Sequence, residues 1–251
     1  MKLKFLGTTA SIPDVHEDSP SFLVNDRYLF DCGFDVLGSL RETSCDIAAI
    51  DYIIFTHMHH DHYLGLASLL FYFIHSRVKK IKDLTILGPK KDVERVVELA
   101  YKYLQLDLFY QDVERPTVIP LKENDIYKTD DATIKCGASI HPVDARCYRF
   151  VDKGGSTLAI SGDTMYCEDM IPLFKGANAL IHDSTLGYIE GNGNNGHSTI
   201  LEAIRIAESA EIPVLFPVHM SVQRAEESSS LASKNTDVKI IPPKRGTLYE
   251  V

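Results

Sequence analysis

The sequence of 251 residues contains no tryptophan and only five cysteines, none of them in a CxxC pair. Their odd number and scattered positions argue against a disulfide framework and against a thiolate zinc site, and they are typical of a reducing cytoplasm. The amino terminus lacks the apolar run of a signal peptide, and the longest apolar stretch, Tyr63 to Ile74, is too short to cross a bilayer. We therefore expect a cytoplasmic protein with no membrane partner.

An excess of positive charge is also missing, because the net charge is −9. An acidic chain has no general attraction for nucleic acid or for anionic membranes. A polyanionic substrate must then be held by a local basic patch or by metal. One basic cluster is present, and it forms either a solvated face or a surface that contacts a phosphate backbone. Its residues are Arg77, Lys79, Lys80, Lys82, Lys90 and Lys91.

No linker rich in proline, glycine or serine divides the sequence, so we predict one domain over residues 1–251. Strand-like runs cluster early in the chain and again in its middle, and helical patterns follow each cluster. Thr199 and Glu202 have the spacing of a capping box. The pattern predicts an α/β domain of layered sheets and helices in two similar halves. The predicted helices cover Leu64–His75, Asp92–Leu104, Met170–Lys175 and Ile200–Ala210.

The strongest chemical signal is the run THMHHDH over residues 56–62, which directly follows the apolar strand pattern Tyr52–Phe55. Five of its last six residues are histidine or aspartate, and burying them without a cation would carry a heavy desolvation cost. His57 and His59 are two positions apart, so we expect their imidazoles to point to the same side of the chain. The side chains of Asp61 and His62 can reach a second metal position nearby. The run therefore predicts a metal site on a strand-to-helix loop.

Each cation needs more ligands than this loop can supply, so later parts of the chain must contribute. Three candidates stand at the ends of apolar runs. They are His141, Asp163 in the segment SGDT, and His219 after VLFPV. Because the carboxyl ends of strands are where sites gather in α/β sheets, we expect these side chains to meet the histidine-rich loop.

The order HxHxDH, isolated histidine, GDT and strand-terminal histidine resembles the metallo-β-lactamase superfamily. The resemblance implies a four-layer αββα sandwich of two pseudo-symmetric halves, with the site along one edge of the sheets. It also implies two metal sites joined by one shared carboxylate. The first would use His57, His59 and His141, the second Asp61, His62 and His219, and Asp163 would bridge them.

Further segments resemble the ribonuclease Z branch of that superfamily: FLGT at 5–8, FDCG at 30–33, HDST at 182–185 and HST at 197–199. The last two point to phosphodiester-cleaving members and imply roles for Asp183 and His197. Enzymes of that branch carry a long basic arm that grips transfer RNA, in most of them between the third metal motif and GDT. Here the short segment 142–162 leaves no room for such an arm. Four residues beyond the last ligand, where the branch tends to have arginine, this chain has Gln223.

Imidazole and carboxylate ligands without thiolate suit two Zn²⁺ ions per subunit, with Mn²⁺ or Fe as alternatives. Two such ions about 3.5–4 Å apart can activate a shared water, and the expected reaction is attack of that hydroxide on phosphorus. Asp61 would orient or deprotonate the water. His197, which precedes a helix amino terminus, would give the leaving oxygen a proton or a positive partner.

Two more carboxylates would support this machinery. Asp183 would hold the second ring nitrogen of His197, and Asp31 would support a ligand histidine. The alternatives are a simple loop position for His197, a polar turn for Asp183 and a plain strand end for Asp31. His60 is expected to face solvent or to pack between ligands, and His182 to pack below the site.

Three functions are open at this point. The first is a metal-dependent phosphodiesterase of the ribonuclease Z type that acts on RNA or a related phosphodiester. The second is a hydrolase of small substrates on the same scaffold, such as cyclic phosphodiesters, lactones or thioesters, and the missing arm and the negative charge fit it. The third is a non-catalytic binding protein, against which the intact ligand set argues. The resemblance also implies a homodimer.

Overall fold

The computed structural model describes residues 1–78 and 81–251, so Lys79 and Lys80 lie outside the described residues. Its strands are β1 (Lys2–Gly7), β2 (Ser21–Val24), β3 (Tyr28–Phe30), β4 (Tyr52–Ile54), β5 (Thr85–Pro89), β6 (Thr117–Leu121), β7 (Ile126–Lys128), β8 (Ala132–Ala138), β9 (Arg146–Asp152), β10 (Thr157–Ile160), β11 (Ala179–Asp183), β12 (Val214–Val218), β13 (Lys239–Ile240) and β14 (Leu248–Glu250). Its α-helices are α1 (Val36–Glu42), α2 (His60–Tyr63), α3 (Leu66–Ser76), α4 (Val93–Tyr103), α5 (Leu106–Phe109), α6 (Ile171–Phe174), α7 (Ile200–Ser209) and α8 (Val222–Ala232). None of these helices combines the length and apolar character needed to cross a bilayer.

The first sheet has seven strands in the order β14-β1-β2-β3-β4-β5-β6. The pairs from β14 to β3 are antiparallel, and those from β3 to β6 are parallel. In the parallel half Phe30 pairs with Ile54, which in turn pairs with Leu87. The carboxyl ends of β3, β4 and β5 therefore finish at one edge of the sheet.

The second sheet also has seven strands, in the order β13-β12-β11-β10-β9-β8-β7. Strands β10 to β13 are parallel, whereas β7 to β10 are antiparallel. Each sheet thus has one parallel and one antiparallel half, which confirms the two similar halves predicted from the order of elements.

The two sheets pack face to face around a core of aromatic and aliphatic side chains. Phe30 stacks on Phe22 with ring centroids 5.0 Å apart, and it meets Tyr148 and Phe150 of the other sheet edge to face. Helices α1, α3 and α4 cover the outer face of the first sheet, and α6, α7 and α8 cover that of the second. The layers run helix, sheet, sheet, helix, so the predicted αββα sandwich is confirmed.

The helices α3, α4 and α7 confirm three predicted segments, with ends shifted by at most two residues. Thr199 caps α7 through the predicted capping box with Glu202. The predicted helix Met170–Lys175 is shorter than expected, because a 3-10 turn over 168–170 precedes α6. Helix α8 has no apolar stripe, since it turns alanines and serines toward the sheet, and periodicity therefore did not reveal it.

The topology brings several strand ends to a single edge of the sandwich. In the first sheet Asp31 follows β3, and the histidine-rich loop follows β4. In the second sheet Asp163 follows β10, Asp183 ends β11 and His219 follows β12. These strands are parallel within each sheet, so their carboxyl ends gather the chemically distinctive residues in one place.

Candidate metal centre

Asp31 holds the beginning of the histidine-rich loop. Its Oδ1 accepts the backbone N–H of Thr56 (2.8 Å), and its Oδ2 accepts the Thr56 hydroxyl (2.7 Å) and Nδ1–H of His62 (2.9 Å). Asp31 is buried and has a φ of 54°, a left-handed conformation that aspartate tolerates better than most residues. One carboxylate thereby ties the end of β4 to the first turn of α2.

The same contacts determine the orientation of a second ring. The Thr56 hydroxyl gives its proton to Asp31, so its lone pairs are left to accept Nδ1–H of His57 at 3.1 Å. A neutral His57 then presents a bare Nε2 on its other side. Because Asp31 contacts His62 directly and His57 through Thr56, both rings turn Nε2 toward the interior of the site.

A first group of potential ligand atoms comes from three separate loops. The donor atoms of the group lie within 4.8 Å of one another, and its members are His57, His59, His141 and Asp163. His141 Nε2 and His59 Nδ1 are 2.9 Å apart and so point at the same spot. The other nitrogen of His141 donates to the carbonyl oxygen of Gly196 at 2.8 Å.

A second group lies beside the first and consists of Asp61, His62 and His219. Asp163 faces both groups. Its Oδ2 is 3.7 Å from His57 Nε2, 3.5 Å from His62 Nε2 and 3.1 Å from His219 Nε2. The structure thus brings together all seven residues for which the sequence predicted metal binding, with Asp163 between the two groups. A third, overlapping group of Asp163, His197 and His219 also has the geometry to hold a cation.

The chemistry of these groups fits divalent cations. The Nε2 atoms of His57 and His62 are buried and have no hydrogen-bond partner among the residues that the structure describes. A buried polar atom without a partner is costly, and a cation held by neighbouring imidazoles and carboxylates would remove that cost. Nitrogen and oxygen donors without sulfur are suitable for zinc, manganese or iron.

Burial and neighbouring charges shift the pKa values of the histidines and of Asp163 in different directions. Burial, helped by the charge of His62, lowers the pKa of His57 well below its ordinary value. Burial also acts to lower the pKa of His62, but the carboxylates of Asp163 and Asp31 outweigh it and raise that pKa well above its usual range. For Asp163 burial opposes ionisation, yet the histidines His219, His62 and His57 hold its pKa well below normal.

These shifts predict that binding of a cation releases protons. In the metal-free protein the raised pKa keeps His62 charged at pH 7, whereas a ligand imidazole must be neutral. Zinc binding at pH 7 should therefore release at least about one proton, and affinity should rise with pH until the raised pKa of His62 is passed. Calorimetric titrations in two buffers of different ionisation enthalpy measure this number. A binding enthalpy that is the same in both buffers would contradict it.

His197 and Asp183 form a hydrogen-bonded pair next to the two ligand groups. Asp183 Oδ2 accepts Nδ1–H of His197 at 2.9 Å, and the same nitrogen is 3.9 Å from Asp163 Oδ2. Burial acts to lower the pKa of His197, but the hydrogen bond and charge of Asp183 raise it overall. A protonated His197 beside the ligand groups can donate a proton to a group that reacts there.

Thr185 connects this pair with the second ligand group, and the sequence analysis missed it. Its hydroxyl lies 2.6 Å from Asp183 Oδ1, 2.8 Å from Nδ1 of His219 and 3.1 Å from Nδ1 of His197. Since a carboxylate only accepts, the hydroxyl donates to Asp183 and accepts from His219. This leaves Nε2 of His219 facing Asp61 and Asp163. The position of Thr185 in the HDST segment is the signal that could have revealed it.

Two nearby histidines stay out of the ligand groups found among the described residues. His60 is exposed on α2. His182 is fully buried, and its Nδ1 donates to the carbonyl oxygen of Asp183 at 2.7 Å.

The basic cluster does not form one surface in the part that the structure describes. Lys82 precedes β5 and pairs with Glu114 at 3.0 Å, whereas Lys90 and Lys91 follow β5 at the edge that carries the site. Lys79 and Lys80 lie outside the described residues. The segment between His141 and Asp163 consists mainly of β9, a tight turn and β10, so it holds no protruding arm.

Comparison with known proteins gives matches along most of the chain. A family model described as a beta-lactamase superfamily domain matches residues 26–220. Ribonuclease Z of Metallosphaera sedula is 28% identical over 270 residues, covering 92% of this chain and 92% of that protein.

Two solved structures are similar over nearly the whole chain. The metallo-beta-lactamase fold protein YhfI from Bacillus subtilis superposes with a TM-score of 0.79 at 24% identity, covering 99% of this chain and 98% of that one. Human tRNase Z, short form, superposes with a TM-score of 0.77 at 21% identity, covering 100% and 99% of the two chains. At these identities the structural similarity establishes the fold.

Proposed function

Because this chain belongs to the beta-lactamase superfamily, we propose that it is a metal-dependent hydrolase of the ribonuclease Z type that cleaves phosphodiesters. The observation that carries this proposal is the pair of His197 and Asp183 placed beside two groups of side chains that could hold metal ions. The sequence similarity to proteins named ribonuclease Z supports it. The substrate is a phosphodiester, either RNA or a smaller molecule.

We assign one zinc ion to His57, His59 and His141 and a second to Asp61, His62 and His219, with Asp163 shared, and keep manganese and iron as alternatives. When bound, such cations would supply Lewis acidity and make a water nucleophilic near neutral pH. The remaining chemistry belongs to side chains. In the metal-free protein burial acts to raise the pKa of Asp61, but the hydrogen bond from His219 lowers it overall, so the carboxylate is ionised before a cation binds. Asp61 would orient the attacking water or accept its proton.

His197 would act at the other end of the reaction. Asp183 is fully buried and receives the backbone N–H of Thr164 (3.0 Å) and of Thr185 (2.9 Å) in addition to His197. It therefore cannot turn away, and it holds Nδ1 of His197 and favours the charged ring. Protonated His197 would give its proton to the oxygen that leaves phosphorus.

The direct test is hydrolysis of bis(p-nitrophenyl) phosphate by zinc-loaded protein. Turnover should disappear in His57→Ala. The matched variant His60→Ala, which alters an exposed histidine of the same THMHHDH run, should keep it. Metal-loaded protein that leaves this ester intact would contradict the proposal.

A second candidate function is hydrolysis of a small cyclic phosphodiester, a lactone or a thioester on the same scaffold. The compact segment between His141 and Asp163 favours it, since it offers no arm to grip a transfer RNA. The net charge of −9 also favours it. Cleavage of a precursor transfer RNA, measured beside a panel of small substrates, separates the two functions.

Asp31 offers a test of how the ligands are held. Asp31→Asn keeps a residue that tolerates φ of 54° but weakens the contacts to Thr56 and His62. Loss of such a support should lower zinc affinity about 10- to 100-fold. The control is Asp26→Asn, which alters another aspartate of positive φ (59°), far from the ligands in sequence and half-exposed in a turn. Equal affinities in both variants would contradict this role of Asp31.

We also infer a homodimer in a reducing cytoplasm. An exposed apolar face on α2 to α5 supports association, since Leu64 is 46%, Leu99 47% and Tyr103 81% exposed. Five free cysteines, four of them buried, support the reducing compartment.

Light scattering of the purified protein should give twice the chain mass of 28.1 kDa. Leu99→Glu, which places a charge on the apolar face, should give a monomer of unchanged secondary structure. A wild-type protein of single-chain mass at micromolar concentration would contradict the dimer.

A further inference from the structure

We propose that Glu202 is a positioning residue that holds both a metal ligand, His141, and the proton donor, His197. It would do so through the tight turn of residues 193–197, which we call the glycine turn. The inference rests on the proposed function, because it assumes that His141 binds a cation.

Glu202 makes more contacts than a helix cap needs. It lies in the first turn of α7 and is 1% exposed. Its Oε2 accepts the backbone N–H of Thr199 at 2.9 Å, which is the ordinary capping-box contact. Both carboxylate oxygens also accept the backbone N–H of Gly193, at 2.8 and 2.9 Å. This last contact reaches nine residues upstream, into the loop that leads to His197.

The chain at Gly193 lies directly over the carboxylate. A Cβ at Gly193 would come within 2.1 Å of the His197 carbonyl oxygen and 2.9 Å of Glu202 Oε2. The turn is closed by a hydrogen bond from the His197 N–H to the Asn194 carbonyl oxygen at 2.9 Å. The position of His197 in space therefore depends on where Glu202 holds Gly193.

The far end of the glycine turn contacts the metal ligand. The carbonyl oxygen of Gly196 accepts Nδ1–H of His141 at 2.8 Å, which turns Nε2 of His141 toward His59. Gly196 has a φ of 88°, and a Cβ there would lie 2.7 Å from His141 Nδ1 and 2.5 Å from Pro142 Cδ. The turn therefore fixes both the tautomer and the position of His141.

The first test compares two variants that both damage the capping box. Glu202→Gln puts an amide NH₂ group among backbone N–H donors and so loosens Gly193. Thr199→Ala removes the side-chain cap but leaves the contact between Glu202 and Gly193. Zinc affinity of the metal-free protein, measured by competition with a chelator, should fall about 10- to 100-fold in Glu202→Gln and less than about 3-fold in Thr199→Ala. Equal losses in the two variants, or no loss in either, would overturn the proposal.

A second pair of variants tests the other end of the turn and does not disturb α7. Gly196→Ala places a methyl group against His141. Gly191→Ala is the matched control, because Gly191 also has positive φ (109°) but a Cβ there meets nothing within 4 Å. Only Gly196→Ala should lose zinc affinity, and this outcome remains decisive if Glu202→Gln fails to fold. An unchanged affinity in Gly196→Ala would overturn the proposal.

Kinetics at saturating zinc provide a readout that a purely structural role would not change. Glu202→Gln should then lower kcat for a dinucleoside phosphate about 10-fold or more with an unchanged KM, since His197 is displaced while substrate binding is kept. A Glu202→Gln protein that keeps the wild-type kcat at full zinc occupancy would overturn the part of the proposal that concerns His197. A wild-type protein that binds no zinc would instead refute the proposed function, so the two failures are distinguishable.

Discussion

Replacing Asp163 with asparagine should abolish turnover and release most of the bound metal. Oδ2 of Asp163 lies between 3.1 and 3.7 Å from Nε2 of His219, His62 and His57. Asp163 therefore lies between the two groups of potential ligands, and its charge balances the buried rings of His57, His62 and His219. Because metal ions stabilise charge in the transition state by several kcal/mol, we expect kcat/KM to fall about 10³-fold or more. Metal analysis and phosphodiester hydrolysis measure the two effects.

Asp169→Asn is the control for this prediction, because Asp169 is exposed six residues further along the same connection. It should keep wild-type metal content and activity. An Asp163→Asn protein that retained about two cations per chain and ordinary turnover would contradict the assignment of Asp163 as the shared ligand.

Replacing His197 with alanine should slow hydrolysis by an amount that depends on the leaving group. A nucleoside alkoxide needs a proton as it leaves, whereas p-nitrophenolate leaves readily without one. General acid catalysis contributes about 10²- to 10⁴-fold, so kcat/KM for a dinucleoside phosphate should fall by that factor in His197→Ala. The loss for bis(p-nitrophenyl) phosphate should stay below about 10-fold.

The pH profile gives an independent measure of the same role. Asp183 raises the pKa of His197 against the effect of burial, so the acid form is present below that raised pKa. For the dinucleoside phosphate the wild-type rate should fall as pH rises through it, and His197→Ala should lack this fall. An equal loss for both substrates would mean that His197 binds phosphate rather than donates a proton.

Much of the fold followed from local patterns along the chain. Alternating and continuous apolar runs predicted the layered α/β class, and the helices α3, α4 and α7 lie within two residues of their predicted limits. Elements without such a pattern escaped prediction. Strands β13 and β14 have only two and three residues, and α8 buries small residues such as Ala225 and Ser228 that leave no apolar stripe. Tertiary packing stabilises these elements more than their own sequence does.

The ligand groups were predictable because chemistry and topology pointed to the same residues. Buried histidine and aspartate are costly without a partner, and strand ends gather at one edge of a parallel sheet. His219 was found in this way, since it follows the parallel strand β12. His141, 78 positions earlier in the sequence, was found from the end of an apolar run, although β8 before it lies in the antiparallel half of the sheet. Their membership in two separate groups came from the family resemblance rather than from spacing.

The supporting contacts could not be predicted, since they depend on side-chain geometry across distant segments. The HDST segment draws attention to Thr185, but it does not indicate that the Thr185 hydroxyl contacts His219 as well as Asp183. The same is true of Glu202. The sequence predicts only a capping residue there, yet its carboxylate also accepts the backbone N–H of Gly193. Hydrogen bonds of this kind require that backbone and side chains already occupy their places in the fold.

Metal analysis of the purified protein measures how many cations these side chains bind. After dialysis against zinc and then against metal-free buffer, the protein should retain about two zinc ions per chain, because two neighbouring groups of imidazole and carboxylate side chains could each hold one cation. A folded protein that retained no cation, even after saturation with zinc and with manganese, would contradict the account.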